Sequence, residues 1–335
     1  MKNFKIGEIS GSRDVKLNSR RMKSMEKMDN TKNKTFETAE KKKGSSITAE
    51  NVAFVRALES LKPEGERICY DPYASRFLSP QYLVFMEMAA HDPSKTPFPG
   101  LHNSLSARVR YFDDFVKKSI SEGLEQLVIL GAGYDTRAYR IEGLRDNVRV
   151  FEIDHPETQS VKIEKIKDIF GSLPDHVEYV SVDFETEDFG QRLLEHGYKK
   201  SQKTVFIIEG LIYYLPPKAV DEMLYFISKN SETGSAIIFD YVYESSIYRT
   251  NGICGVQCTA CNQNEIKNAT KDMAQKGEPY KFGVKDGMLE SFISQHCFSR
   301  ICNVTSEDYK KIYFKGINES RPVCCLSNFA HAIVK

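Results

Sequence analysis

Between residues 127 and 239 the chain repeats one pattern: a short run of apolar residues, then a longer stretch with apolar positions at helical spacing. The runs are Leu127–Leu130, Val148–Ile153, Val177–Val182, Val205–Ile208 and Ala236–Phe239. Runs this short and this continuously apolar are strands covered on both faces. With helical crossovers between them, they predict a parallel, doubly wound α/β sheet. The stretch Lys218–Asn230 follows Pro216-Pro217 and predicts a helix entered on proline, whose missing N–H would have had no partner in the first turn. Upstream, from Ile47 to Lys118, the positions Val52, Val55, Leu58 and Leu61, then Phe112, Phe115 and Val116, share helical stripes, so two or three helices precede the first strand. Pro93, Pro97, Pro99 and Gly100 interrupt them with a loop suited to covering a pocket. After Tyr243 the signal weakens until Tyr309–Phe314 and Asn328–Val334, which predict two closing strands.

Residues 1–46 hold Arg20, Arg21 and Lys41, Lys42 and Lys43 but few large apolar side chains, the composition of a basic, disordered tail. Residues 47–335 are enough for one large α/β domain, with 47–122 as a helical cap and 244–308 as an acceptor-side insertion that helps to form a pocket. Lys and Arg total 47 against 46 Asp and Glu, so no global field draws the chain to nucleic acid or to an anionic membrane. No run approaches the roughly 18 apolar residues of a membrane span, and no apolar signal core opens the chain. A cytoplasmic location is therefore expected. Eight scattered cysteines in a chain of 335 residues do not make a disulfide framework and are expected to be reduced. Cys254, Cys258 and Cys261 have metal-like spacing, but no second pair or nearby histidine completes a site, so no metal is expected.

The candidate chemistry sits where strands end. Leu130-Gly131-Ala132-Gly133-Tyr134-Asp135-Thr136-Arg137 is a glycine turn between an apolar strand and a helix, where glycine lets a ligand lie against the backbone. Thr136 stands where the dinucleotide fingerprint has its third glycine, so a nucleoside without phosphates fits this turn better than a pyrophosphate. Asp154, at the end of the second strand, is placed to accept hydrogen bonds from ribose hydroxyls, or to cap the helix entered at Pro156. Asp183 and Glu209 end the third and fourth strands, which puts three acids on the carboxyl edge where open α/β sheets bind ligands. Such a rim calls for a cationic or donor-rich ligand. His102, His155 and His331 could each act as a base, yet none stands in a recognisable catalytic setting, so no catalytic residue is assigned.

These segments resemble the leucine carboxyl methyltransferase superfamily and its polyketide-type O-methyltransferase relatives. The resemblance is carried by residues 130–140, by Phe151-Glu152-Ile153-Asp154-His155-Pro156 and by residues 208–216, and it extends upstream through Thr48-Ala49, Arg56-Ala57-Leu58-Glu59, Asp71-Pro72-Tyr73-Ala74 and Ala107-Arg108-Val109-Arg110. It covers roughly residues 47–335 and implies a class I methyltransferase fold: a Rossmann-like, mostly parallel seven-stranded sheet with an N-terminal helical cap. It also implies S-adenosyl-L-methionine as cofactor. Position by position it puts Arg108, with Arg56 as a second contact, on the methionine carboxylate. Gly131 and Gly133 then lie against the cofactor, Asp154 on the ribose, Asp183 and Phe184 beside the adenine, and Glu209 near the methionine amino group. A guanidinium suits that first role because its fork can pair with a carboxylate; a surface salt bridge to Asp113 or Asp114 is the competing reading of Arg108. The implied partner is a small-molecule methyl acceptor, carboxylate or hydroxyl, with a protein acceptor as an alternative. The late aromatic-glycine pattern survives as Gly277-Glu278-Pro279-Tyr280-Lys281-Phe282-Gly283, whereas the later Gly-aromatic pair is replaced by Cys297-Phe298. Two rival functions stay open at this point: a nicotinamide-dependent oxidoreductase, against which Thr136 and the extra acids speak, and a noncatalytic protein that keeps the cofactor pocket.

Overall fold

The computed structural model describes residues 46–92, 96, 98–248 and 278–335; the basic tail and the Cys254, Cys258 and Cys261 group lie outside them. Among the described residues three α-helices come first: α1 (Ile47–Ser60), α2 (Pro80–His91) and α3 (Pro99–Ser121). Then strands and helices alternate through β1 (Gln126–Leu130), β2 (Arg149–Asp154), α4 (Pro156–Phe170), β3 (Val177–Ser181), α5 (Phe189–Glu195), β4 (Thr204–Ile208), α6 (Pro217–Lys229) and β5 (Ala236–Tyr241). The described chain closes with α7 (Leu289–Ser294), β6 (Phe298–Val304), α8 (Ser306–Tyr313) and β7 (Asn328–Val334). One-turn helices at Arg137–Arg140 and Leu144–Asn147 join β1 to β2.

Among the described residues the strands form one seven-stranded sheet in the order β3-β2-β1-β4-β5-β7-β6. The first five are parallel, and β7 runs antiparallel to both neighbours. Strands β1 and β4 are fully buried along their length, as continuous apolar runs require, with one apolar core on each face of the sheet. Because β1 lies between β2 and β4, the chain reverses its direction of winding there. The crevice at such a switch point is where open α/β sheets bind ligands.

Two expectations need correction. Residues Tyr309–Phe314 are not a strand but mostly helix α8, opened by a capping box in which Thr305 and Asp308 satisfy each other's backbone N–H groups. Tyr309 and Tyr313, one helical turn apart, then give an apolar spacing that also reads as strand. The closing strand is the preceding β6, whose exposed Arg300 and partly buried Cys302 break the apolar run. In α1 the stripe is rotated: Phe54, Val55 and Ala57 are buried, while Leu61 is 56% exposed. There α1 packs with Phe77 and Tyr134 in a third apolar cluster.

Candidate functional site

The turn after β1 needs glycine for two reasons. Gly131 and Gly133 both have positive φ, +67° and +43°, a region costly for residues with a Cβ. A Cβ on Gly131 would also lie 3.2 Å from the Leu211 side chain, and one on Gly133 3.3 Å from Ala49 of α1. The turn is thus covered by the start of α1 on one side and by the segment after β4 on the other. The Gly133 N–H donates to Asp154 Oδ2, and Asp154 Oδ1 accepts the His155 N–H at 2.7 Å. Asp154 therefore ties the ends of β1 and β2 together. The cap of α4 is His155, whose side chain accepts from the Glu157 N–H, so the capping alternative for Asp154 does not hold.

Around this turn four arginines and five carboxylates, buried or nearly so, form one connected network. Arg108, reaching down from α3, donates through Nε to Glu209 at 2.9 Å and through Nη1 to Asp240 at 2.6 Å. Arg137 donates to Glu209 at 2.6 Å, to Asp113 at 2.7 Å and to Asp135. Arg140 holds Asp113 with two hydrogen bonds, at 2.6 and 2.8 Å. Arg56 pairs with Asp71 at 2.8 Å and donates to the Tyr134 carbonyl, fastening α1 to the glycine turn. Thr136, which replaces the third glycine, donates to Asp71 at 2.7 Å and accepts from Arg140. With five carboxylates against four guanidiniums the network carries a formal charge of −1. Buried charge of one sign favours a cationic partner.

Burial opposes ionisation of Asp135, but the Arg137 guanidinium, Lys162 and the Arg137 N–H outweigh it and hold the carboxyl near a pKa of about 2 instead of 3.8. A depressed carboxylate stabilises the fold at pH above its unfolded value and loses that contribution as pH falls through its folded value. Asp135 should therefore contribute about 2 kcal/mol above pH 4, fading toward pH 2. Thermal melts between pH 6 and pH 2 should show this loss, and Asp135→Asn should flatten the slope; an equally steep acid loss in that variant would assign it to other groups.

The sequence-based candidates divide into two sets. Gly131, Gly133, Asp154, Glu209 and Arg108 converge on the switch point. Arg108 is only 2% exposed, so the surface-salt-bridge reading fails: Asp114 pairs with Arg110 and Asp113 with Arg137 and Arg140. Nor is the whole Arg108 fork open, since Nε and Nη1 already serve Glu209 and Asp240. Of the three Arg108 side-chain nitrogens, only Nη2 makes no hydrogen bond to the described residues. Arg56 is taken up by Asp71 and Tyr134. Asp183 and Phe184 lie just beyond β3. Asp183 accepts the Glu185 N–H, which lowers its pKa, and Phe184 packs against Phe189 with ring centroids 6.1 Å apart. The three histidines have other partners or surroundings: His331 bonds Tyr111 at 2.8 Å, His155 caps α4, and burial lowers His102 to about 4.

Asp240, Arg137, Asp135 and Tyr213 were missed. Asp240 lies one residue beyond the apolar run Ala236–Phe239, so the strand-end rule that singles out Asp154 and Glu209 would have found it with the fifth strand extended by one position. Tyr213, Tyr214 and Tyr280 form a ring cluster beside it, centroids 4.8 to 5.4 Å apart. Off this rim, the beginning of α6, residues 281–288 and α7 line an open hollow of about 400 Å³.

Comparison with known proteins follows the same lines. Residues 49–228, more than half the chain, match the leucine carboxyl methyltransferase family. The chain is 28% identical over 229 residues to YktD of Bacillus subtilis, named "Putative S-adenosyl-L-methionine-dependent methyltransferase", covering 68% of this chain and 72% of that protein. It is 36% identical over 202 residues to a Mycobacterium marinum protein of the same description, covering 58% of this chain and 65% of the relative, just under two thirds of its length. In three dimensions it is similar to a crystal structure titled "putative methyltransferase" from Thermobifida fusca YX, with a TM-score of 0.53 at 13% identity over 88% of this chain and 97% of that one, a likeness of fold.

Proposed function

The chain belongs to the leucine carboxyl methyltransferase family, and from that premise we propose that it is an S-adenosyl-L-methionine-dependent methyltransferase that methylates an oxygen, carboxylate or hydroxyl, of a small molecule. The observation that supports this best is the meeting at one switch point of the glycine turn, Asp154 and the acid-rich arginine network. These residues fit the cofactor group by group. A carboxylate offers about four acceptor sites, and backbone N–H groups take only two of those on Asp154, leaving two for ribose hydroxyls. Each Glu209 oxygen accepts one guanidinium and has a lone pair left for an ammonium. Arg108 Nη2 is left to donate to a carboxylate, and the network's formal −1 suits a ligand of net positive charge.

When bound, the cofactor supplies an activated methyl on a sulfonium. The residues of this chain then have to orient the two reactants and exclude water, a contribution that can reach several kcal/mol. The start of α1, pinned by Arg56 and by hydrogen bonds from Ser46 and Thr48 to Glu278, covers the glycine turn from solvent. A carboxylate acceptor needs no base, whereas a hydroxyl acceptor does. Residues 47–122 act in this reading as the cap and the range 244–308, of which 249–277 lie outside the described residues, as the acceptor-side insertion. A nicotinamide cofactor is disfavoured because Thr136 is locked into the Asp71 and Arg140 network where a pyrophosphate-binding turn has glycine.

Calorimetric titration with S-adenosylmethionine, S-adenosylhomocysteine and NAD tests the reading. The first two should bind and NAD should not; binding of NAD alone, or of none of the three, would sink it.

A further inference from the structure

Asp240 is the next-to-last residue of β5, with its side chain 1% exposed. Its two oxygens serve three elements: Oδ1 accepts the Gly210 N–H at 2.7 Å, and Oδ2 accepts Arg108 Nη1 at 2.6 Å and the Tyr213 hydroxyl at 3.2 Å. The guanidinium is planar and rigid. Fixing Nε on Glu209 and Nη1 on Asp240 therefore also fixes the direction of Nη2. Gly210 lies directly after Glu209, so the same carboxylate holds the turn that carries Glu209. We propose that Asp240 is a positioning residue, which aims Arg108 and the Glu209 turn at the amino-acid portion of the cofactor without touching it; the inference rests on the proposed function.

A positioning role of this kind acts on one part of the ligand only. Asp240→Asn keeps the shape and an oxygen for the Gly210 N–H but removes the charge that holds Arg108. Its effect should appear with S-adenosylhomocysteine, which carries the amino-acid portion, and not with 5′-methylthioadenosine, which lacks it. Loss of a charge-assisted contact corresponds to roughly tenfold or more in affinity.

In calorimetric titrations of the full chain, Asp240→Asn should weaken S-adenosylhomocysteine by roughly tenfold or more and change 5′-methylthioadenosine by less than about twofold. Equal weakening of both ligands would reduce Asp240 to a structural residue and overturn the inference, as would unchanged binding of both. If Asp240→Asn does not fold, Tyr213→Phe decides, because it removes only the hydroxyl that donates to Asp240 at 3.2 Å and accepts from Arg108 Nη1 at the longer distance of 3.5 Å. A selective loss of about threefold for S-adenosylhomocysteine supports the inference, and an equal or absent effect on the two ligands overturns it. The wild-type titration separates this from the proposed function: failure of wild type to bind S-adenosylhomocysteine refutes that reading, whereas tight wild-type binding with an unselective Asp240→Asn refutes only the positioning role.

Discussion

Arg108→Ala should lower folding stability by about 3–5 kcal/mol, because it leaves the buried Asp240 without its cation and Glu209 with Arg137 alone. The Glu209 and Asp240 side chains are 10% and 1% exposed, so water cannot take over the lost pairing. Burial opposes the charge on Arg108, but Asp240 and Glu209 outweigh it and raise its pKa further; the cation stays in place at any ordinary pH. Arg108→Lys should recover part of the loss, since an ammonium keeps the charge but cannot reach two carboxylates with a planar fork. Urea unfolding of the three proteins measures this directly. An alanine variant as stable as wild type would show that the network is not paired in solution. Where enough folded Arg108→Ala can be prepared, it should also bind S-adenosylhomocysteine far more weakly than 5′-methylthioadenosine.

The difference between Arg108 as expected and as found shows what the sequence could not express. Strands β1, β4 and β5 were readable because each is covered along its length, β2 and β3 from shorter apolar stretches, and the carboxyl ends of the strands pointed to Gly131, Asp154 and Glu209 by position alone. The partners of an arginine carry no such mark. Arg108 and Asp240 are 132 residues apart, and the packing of α3 against β4, with β5 set beside it in the sheet, brings them within hydrogen-bond distance. Asp113 looked like a surface acid on a helix, yet Arg137 and Arg140 from the turn after β1 bury it. Strand β6 was missed because it lies towards the edge of the sheet, where residues such as Arg300 and Asn303 are exposed and the apolar pattern that defines a central strand disappears.

Asp154 should show the opposite balance, with binding lost and stability nearly kept. Burial raises its pKa despite the N–H groups of Gly133 and His155 and the charge of Lys162. For an acid raised in this way the stabilising contribution belongs to the protonated form and fades as pH rises, so at neutral pH the ionised carboxylate is a cost to the ligand-free fold. Asp154→Asn removes that cost but loses one acceptor for the two N–H groups, an offset of about 1 kcal/mol in the other direction. Its net effect on unfolding should therefore be small. Binding is different, because each ribose hydroxyl loses a charged acceptor contributing about 1.5–3 kcal/mol. Affinity for S-adenosylhomocysteine should fall roughly a hundredfold or more. A 2′-deoxy analogue of the ligand completes the test: with one hydroxyl gone, the gap between wild type and Asp154→Asn should shrink. A gap of the same size for both ligands would place Asp154 beside the glycine turn only as the tie between β1 and β2, with the ribose held elsewhere.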